Sequence, residues 1–170
     1  MNDALKKLNK ICKFAELFSK ILLIALVIGV VVTLIIMGAV ALNPDLISEI
    51  GDGTLTNKEV LSMGVIMIIA VVFAFIILYY AYLICGNIHR NNTPFMDENV
   101  KYLEKIAIWT IVCALVIPLI GGAIGVAIGV DPAQMLAFNP MMLFFAFPVY
   151  LLSLILKYGT TLQKESDATL

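Results

Sequence analysis

ILLIALVIGVVVTLIIMGAVAL, residues 21–42, contains no Asp, Glu, Lys, Arg or His. About 20 helical residues cross a hydrocarbon core roughly 30 Å thick, so this stretch alone is long enough to span a membrane. Three more stretches read the same way: Val60 to Cys85, Ile106 to Val130 and Met135 to Leu156. The β-branched run Val30-Val31-Val32-Thr33 would suit a strand in water. In lipid an open strand leaves its backbone groups unpaired, so helix is the expected outcome. A closed barrel needs alternation, and these runs are continuous. The expected fold is all-α: an integral membrane bundle of four transmembrane helices forming one membrane domain over residues 1–170. Short amphipathic helices are expected in the polar segments 1–20, 86–105 and 157–170.

Composition agrees. Of 170 residues, 62 % are hydrophobic and 14 % charged, with a mean hydropathy of +1.03. Soluble domains run to roughly half apolar and about a quarter charged, which excludes an ordinary soluble globule. The net charge of −1 gives no global attraction to nucleic acid, and no direct binding to it is expected.

The 11 Lys and Arg residues are distributed unevenly. Lys6, Lys7, Lys10, Lys13 and Lys20 precede the first span, Arg90, Lys101 and Lys105 follow the second, and Lys157 and Lys164 follow the fourth. Only Lys58 falls on the other side. By the positive-inside rule both termini are expected in the cytoplasm. The first apolar run exceeds the about 7–15 residues of a signal-peptide core, so it is expected to be retained.

From Ala4 to Phe18, apolar residues recur at three- or four-residue steps (Leu5, Leu8, Ile11, Cys12, Ala15, Phe18), with lysines on the other faces. This reads as a basic amphipathic helix, either an interfacial ramp on anionic lipid or a docking surface. The loop Asn43 to Glu59 is acidic, with Asp45, Glu49, Asp52 and Glu59, and does not match a calcium loop. After the second span, Asn91-Asn92-Thr93-Pro94 reads as a turn. Thr93 is expected to cap a short helix, with Pro94 in its first position and Asp97 and Glu98 in its first turn. Val100, Leu103 and Ala107 mark one face of that helix, which is expected to run along the interface before turning into the third span.

Gly121, Gly125 and Gly129 repeat every four residues in the third span and read as a helix-packing seam, within the bundle or in a homo-oligomer. Pro118 and Pro148 are expected to kink their helices. Tyr79, Tyr80, Tyr82, Trp109 and Tyr158 read as an interfacial aromatic belt at similar depth. Cys12, Cys85 and Cys113 show neither CxxC nor Cys/His spacing, so no metal site is expected.

The inventory argues against an enzyme. His89 is the single histidine, and there is no nucleophile elbow, HExxH or phosphate-cradling Gly-rich loop. No catalytic residue and no cofactor are expected. An ion-coupled transporter generally keeps an ionisable residue within the membrane, and the four spans hold none beyond tyrosine and cysteine.

Two blocks carry a family resemblance. Thr93-Pro94-Phe95-Met96-Asp97-Glu98-Asn99-Val100 with Leu103 and Ile106, and Lys157-Tyr158-Gly159 with Leu162-Gln163, Glu165, Asp167 and Thr169-Leu170, resemble the signature blocks of YoaS-like bacterial membrane proteins. These are small four-span proteins of unassigned function, in which the position of Met96 is often Ser or Thr. Their genes often lie beside one for a very small helix-turn-helix regulator. The resemblance therefore implies a membrane-embedded regulatory protein that holds such a regulator. The candidate partner-binding residues are Pro94, Phe95, Asp97, Glu98, Asn99, Tyr158, Gly159, Leu162, Gln163, Glu165 and Asp167, with Gly159 expected to end the fourth helix. The alternative is a small transport, export or self-protection protein handling an apolar compound or peptide.

Overall fold

The computed structural model describes residues 3–43, 47, 56–129 and 140–168. It contains four long helices: α1 (Asp3–Leu42), α2 (Asn57–Asn91), α3 (Asp97–Ile128) and α4 (Pro140–Ala168). There is no strand among the described residues. Each helix is long and apolar enough to cross a membrane. The acidic loop around Asp45, Glu49 and Asp52, the start of the expected fourth span and the last two residues lie outside the described residues.

The helices are longer than the apolar runs that nucleate them. At 1.5 Å per residue the 40 residues of α1 extend about 60 Å, roughly twice a hydrocarbon core. The expected short amphipathic helices are therefore not separate elements. Residues 3–20 are the first half of α1, residues 97–105 the first turns of α3, and α4 continues through Gly159 to Ala168. Lys, Leu and Glu are the commonest residues of these extensions, and all are good helix formers, so the helix has no local reason to stop where the apolar run does.

What starts and stops the helices is local chemistry. The Thr56 side chain accepts the N–H of Glu59 while the Glu59 carboxylate accepts the N–H of Thr56 at 2.7 Å, a capping box that opens α2. Those bonds hold the Glu59 carboxyl below its ordinary pKa. Asn92 closes α2 in the left-handed region (φ 54°), donating its N–H to the Ile88 carbonyl. The expected turn thus forms, but Thr93 does not cap α3. Its hydroxyl accepts the N–H of Phe95 at 3.2 Å, a bond within the turn. Pro94 lies outside the helix, and the N-cap is Met96, whose side chain makes no capping bond.

Among the described residues, extensive packing joins only chain neighbours: α1 with α2, α2 with α3, and α3 with α4. α1 and α4 do not close the ring. α1 lies close on α2, where a Cβ on Gly64 would stand 2.6 Å from Met37 Sδ. α3 is the most covered of the four. Val100, Leu103, Ala107, Ala114, Pro118, Gly121 and Gly125 are buried on its inward face, as the spacing of the first three implies. Gly129 departs from the expected seam. It is exposed and forms the C-cap at φ 79°, a backbone conformation that glycine adopts without steric cost. Pro118 and Pro148 lie inside continuous helices. Ile35, Leu119 and Phe144 are among many large apolar side chains left exposed, the surface a bilayer covers.

The aromatic belt is spread in depth. Tyr80 stacks on Tyr102 and Lys105 lies over its ring at 5.2 Å, whereas Trp109 pairs with Phe73, about 10 Å deeper along α3. Tyr158 lies at the opposite extreme, beside the Phe95 level.

The bare N-cap of α3 gives a test. Met96→Ser should supply the missing acceptor and stabilise the protein by about 1 kcal/mol, seen as a higher midpoint of thermal unfolding in detergent. An unchanged or lower midpoint would mean that α3 does not begin at this residue.

Candidate functional site

At the end of the bundle that carries both described chain ends, the helical extensions meet through polar contacts. Between α1 and α2, Asn9 donates to Asn92 Oδ1 at 2.5 Å, and its own Oδ1 accepts from His89 Nδ1. One turn on, the Cys12 thiol hydrogen-bonds to that of Cys85, and burial raises the Cys12 pKa. Between α2 and α3, Asn87 donates to Asn99 Oδ1 at 3.1 Å, and Asn99 Nδ2 donates to the Pro94 carbonyl at 3.2 Å. Asn99 is fully buried with its groups satisfied, so its part is to fix the α2–α3 turn. Pro94 contributes its carbonyl to the same knot.

The two sequence blocks carrying the candidate partner residues come together between α3 and α4. A groove of about 350 Å³ is lined by Phe95, Met96, Asp97 and Glu98 on one side and by Thr160, Gln163 and Lys164 on the other. Gly159 makes the approach possible, since a Cβ there would stand 2.5 Å from Phe95 Cε1. This corrects the expected helix stop: α4 passes through Gly159 and uses its missing side chain for contact. Lys164 Nζ donates to Asp97 Oδ2 at 2.7 Å, with both side chains more than half exposed. That hydrogen bond and the lysine charge hold the Asp97 carboxyl below its ordinary pKa.

Tyr158, Leu162 and Glu165 are exposed on α4 outside the groove lining, and the side chain of Asp167 lies outside the described residues. Sequence reading did not include Met96, Thr160 or Lys164 among the candidate residues; the last two could have been found. Their signal was helical spacing: Gly159, Thr160, Gln163 and Lys164 share one face once α4 is known to continue.

A second concavity lies in the apolar part. A cleft of about 700 Å³ touches all four helices, with Leu22 and Leu26 from α1, a face of α2 from Met67 to Ala81, Thr110, Cys113 and Ile117 from α3, and Met142 and Phe145 from α4. No charged side chain lines it.

Four apolar membrane-crossing helices with polar extensions define a multi-pass α-helical membrane protein. Residues 52–170 match the family model described as Protein of unknown function (DUF2975), and the chain belongs to that family. The matched region contains α2, α3, α4 and hence the whole groove, while α1 precedes it. No curated protein and no solved structure matches the chain.

The Asp97–Lys164 pair makes a prediction about pH. Because the folded pKa of Asp97 is lowered, its link to α4 is fully present above the ordinary Asp value of about 3.9 and is lost as pH falls through the lower folded value. In Lys164→Ala the Asp97 midpoint, followed by carboxyl carbon chemical shift in micelles, should rise. Equal midpoints in the two proteins would show that the pair does not form in solution.

Proposed function

We propose that this protein is a bacterial inner-membrane regulatory protein that holds a small cytosolic helix-turn-helix regulator at the α3–α4 groove. The observation that carries the reading is the convergence of Phe95 to Glu98 with Thr160 to Lys164, from two sequence blocks more than 60 residues apart, in one exposed concavity of mixed apolar and polar lining. Glu98 and Glu165 add negative charge at or near it, complementary to the basic surface with which a DNA-binding protein meets phosphate. The lysine and arginine distribution supports a cytoplasmic position for this end. The resemblance to YoaS-like proteins supplies the class of partner.

A second reading rests on the apolar cleft: a protein that exports or neutralises an apolar compound or peptide. It expects altered tolerance on gene deletion with no change in transcription.

The partnership is tested by asking whether a small helix-turn-helix protein of the same organism, sought first among the products of neighbouring genes, co-purifies with the tagged membrane protein. Capture should fall at least tenfold in Gly159→Leu, which drives Phe95 out of place, and on removal of residues 158–170, while membrane insertion persists. Unchanged capture and unchanged target transcription in both variants would remove the physical basis of the reading. Orientation has a separate test: reporter fusions at Asp52 and at the C-terminus should report opposite compartments, and a shared compartment would overturn the four-crossing topology.

A further inference from the structure

We propose that Lys6, Lys10 and Lys13 of α1, with His89 of α2, form a site for the phosphate of one anionic phospholipid. These four side chains and Asn9 line a depression of about 280 Å³ where α1 meets α2. Spacings of four and three residues put the three lysines on one face of α1. The His89 ring is held at the depression by the bond between its Nδ1 and Asn9 Oδ1, and its Nε2 has no partner among the described residues.

The charges there are not balanced from within the chain. No carboxylate lines the depression, and Lys10 and Lys13 make no ion pair with any described residue. Glu16, the next carboxylate along α1, is turned instead toward Gly86, where a Cβ would stand 3.4 Å from its Oε1 and 2.9 Å from the Arg90 guanidinium. Several cations brought together without a countercharge attract an anion from outside the chain.

Depth and surroundings identify that anion as a lipid headgroup. His89 lies four residues beyond Cys85, the end of the charge-free run of α2, which is about 6 Å at the helical rise. The headgroup layer extends about 5–7 Å beyond the hydrocarbon on each face, so His89 and the lysines packed beside it stand at phosphate level. On the membrane side of the cations, the row Lys6, Lys10 continues at the same spacing into Phe14 and Phe18. These two rings stack at 6.3 Å and are 70 % and 51 % exposed. A surface that turns from cationic to aromatic at this depth matches an amphiphile, with its phosphate on the lysines and its chains along the rings, better than a soluble anion. The site differs from the diffuse pull of a basic helix on an acidic membrane, because Lys7 and Lys20 lie outside its lining. It involves neither the α3–α4 groove nor a regulator, so it does not rest on the proposed partnership.

The test places the intact chain in nanodiscs of equimolar phosphatidylglycerol and phosphatidylcholine, extracts it into a mild neutral detergent and identifies retained lipid by native mass spectrometry. Phosphatidylcholine carries the same phosphate neutralised by its own ammonium, so phosphatidylglycerol should be retained in clear excess. In titrations of delipidated protein, Lys10→Gln and Lys13→Gln should each weaken phosphatidylglycerol binding about fivefold, and the double variant about 25-fold, with helix content unchanged. Lys7→Gln makes the same charge change outside the depression and should leave binding as it was. His89→Gln should weaken it while keeping a polar partner for Asn9. Equal retention of the two lipids, unchanged binding in the double variant, or an equal loss in Lys7→Gln would overturn the proposal. So would displacement of the lipid by millimolar inorganic phosphate, which would make this a site for the free anion.

Discussion

A peptide group in hydrocarbon has no water to bond with, so every break in a membrane helix leaves donors and acceptors that something else must satisfy. This constraint shapes the chain more than any side-chain contact. It makes helices of β-branched runs that would be strands in water, and it carries α3 and α4 unbroken through Pro118 and Pro148. The same economy governs the few polar side chains at depth. Thr33 and Thr110 donate to carbonyls four residues earlier, and Ser153 to one three residues earlier; Thr33 also lies 3.8 Å from Met67 Sδ on α2.

Between helices the balance is different. Lipid tails are as apolar as leucine, so burying apolar surface between spans gives little net drive to association. The described contacts reflect this: the apolar spans meet at small residues such as Gly64 and at the Phe73–Trp109 pair, while specific interactions gather in the helical extensions. Asn9 with His89 and Asn92, Asn87 with Asn99, Phe95 on Gly159 and Asp97 with Lys164 tie each helix to its chain neighbour at one end. The polar end thus orders the helices laterally, and the spans follow.

This division explains what could be read from the sequence. The four spans were legible because the bilayer imposes a one-dimensional rule, length without charge, that needs no tertiary information. The inward face of α3 was legible as spacing, since Val100, Leu103 and Ala107 recur with the helical period. The cap of α3 was misread because Thr93 and Pro94 both carry helix-start chemistry, yet the Asn99 bond to the Pro94 carbonyl fixes a turn that ends only at Met96. Gly159 looked like a helix stop because glycine serves both as a terminator and as a site of close approach, and only the position of Phe95 decides between them. The partner of Lys164 lies 67 residues away, and no local period encodes such a pair.

The open side between α1 and α4 follows from the same energetics. Closing a ring in water would gain hydrophobic free energy, but in a bilayer lipid covers the open faces equally well, and only close packing or polar contacts would favour closure. Among the described residues α1 and α4 share no extensive packing. The α3–α4 contact therefore stands as one edge of a row rather than one wall of a closed box, and at the polar end it is held by an exposed ion pair and a ring seated on a glycine. Such contacts are weaker than a packed core and yield to small changes in helix crossing. A groove built on them is sensitive to whatever separates α3 from α4 deeper in the membrane, which links the apolar half of the protein to its polar surface.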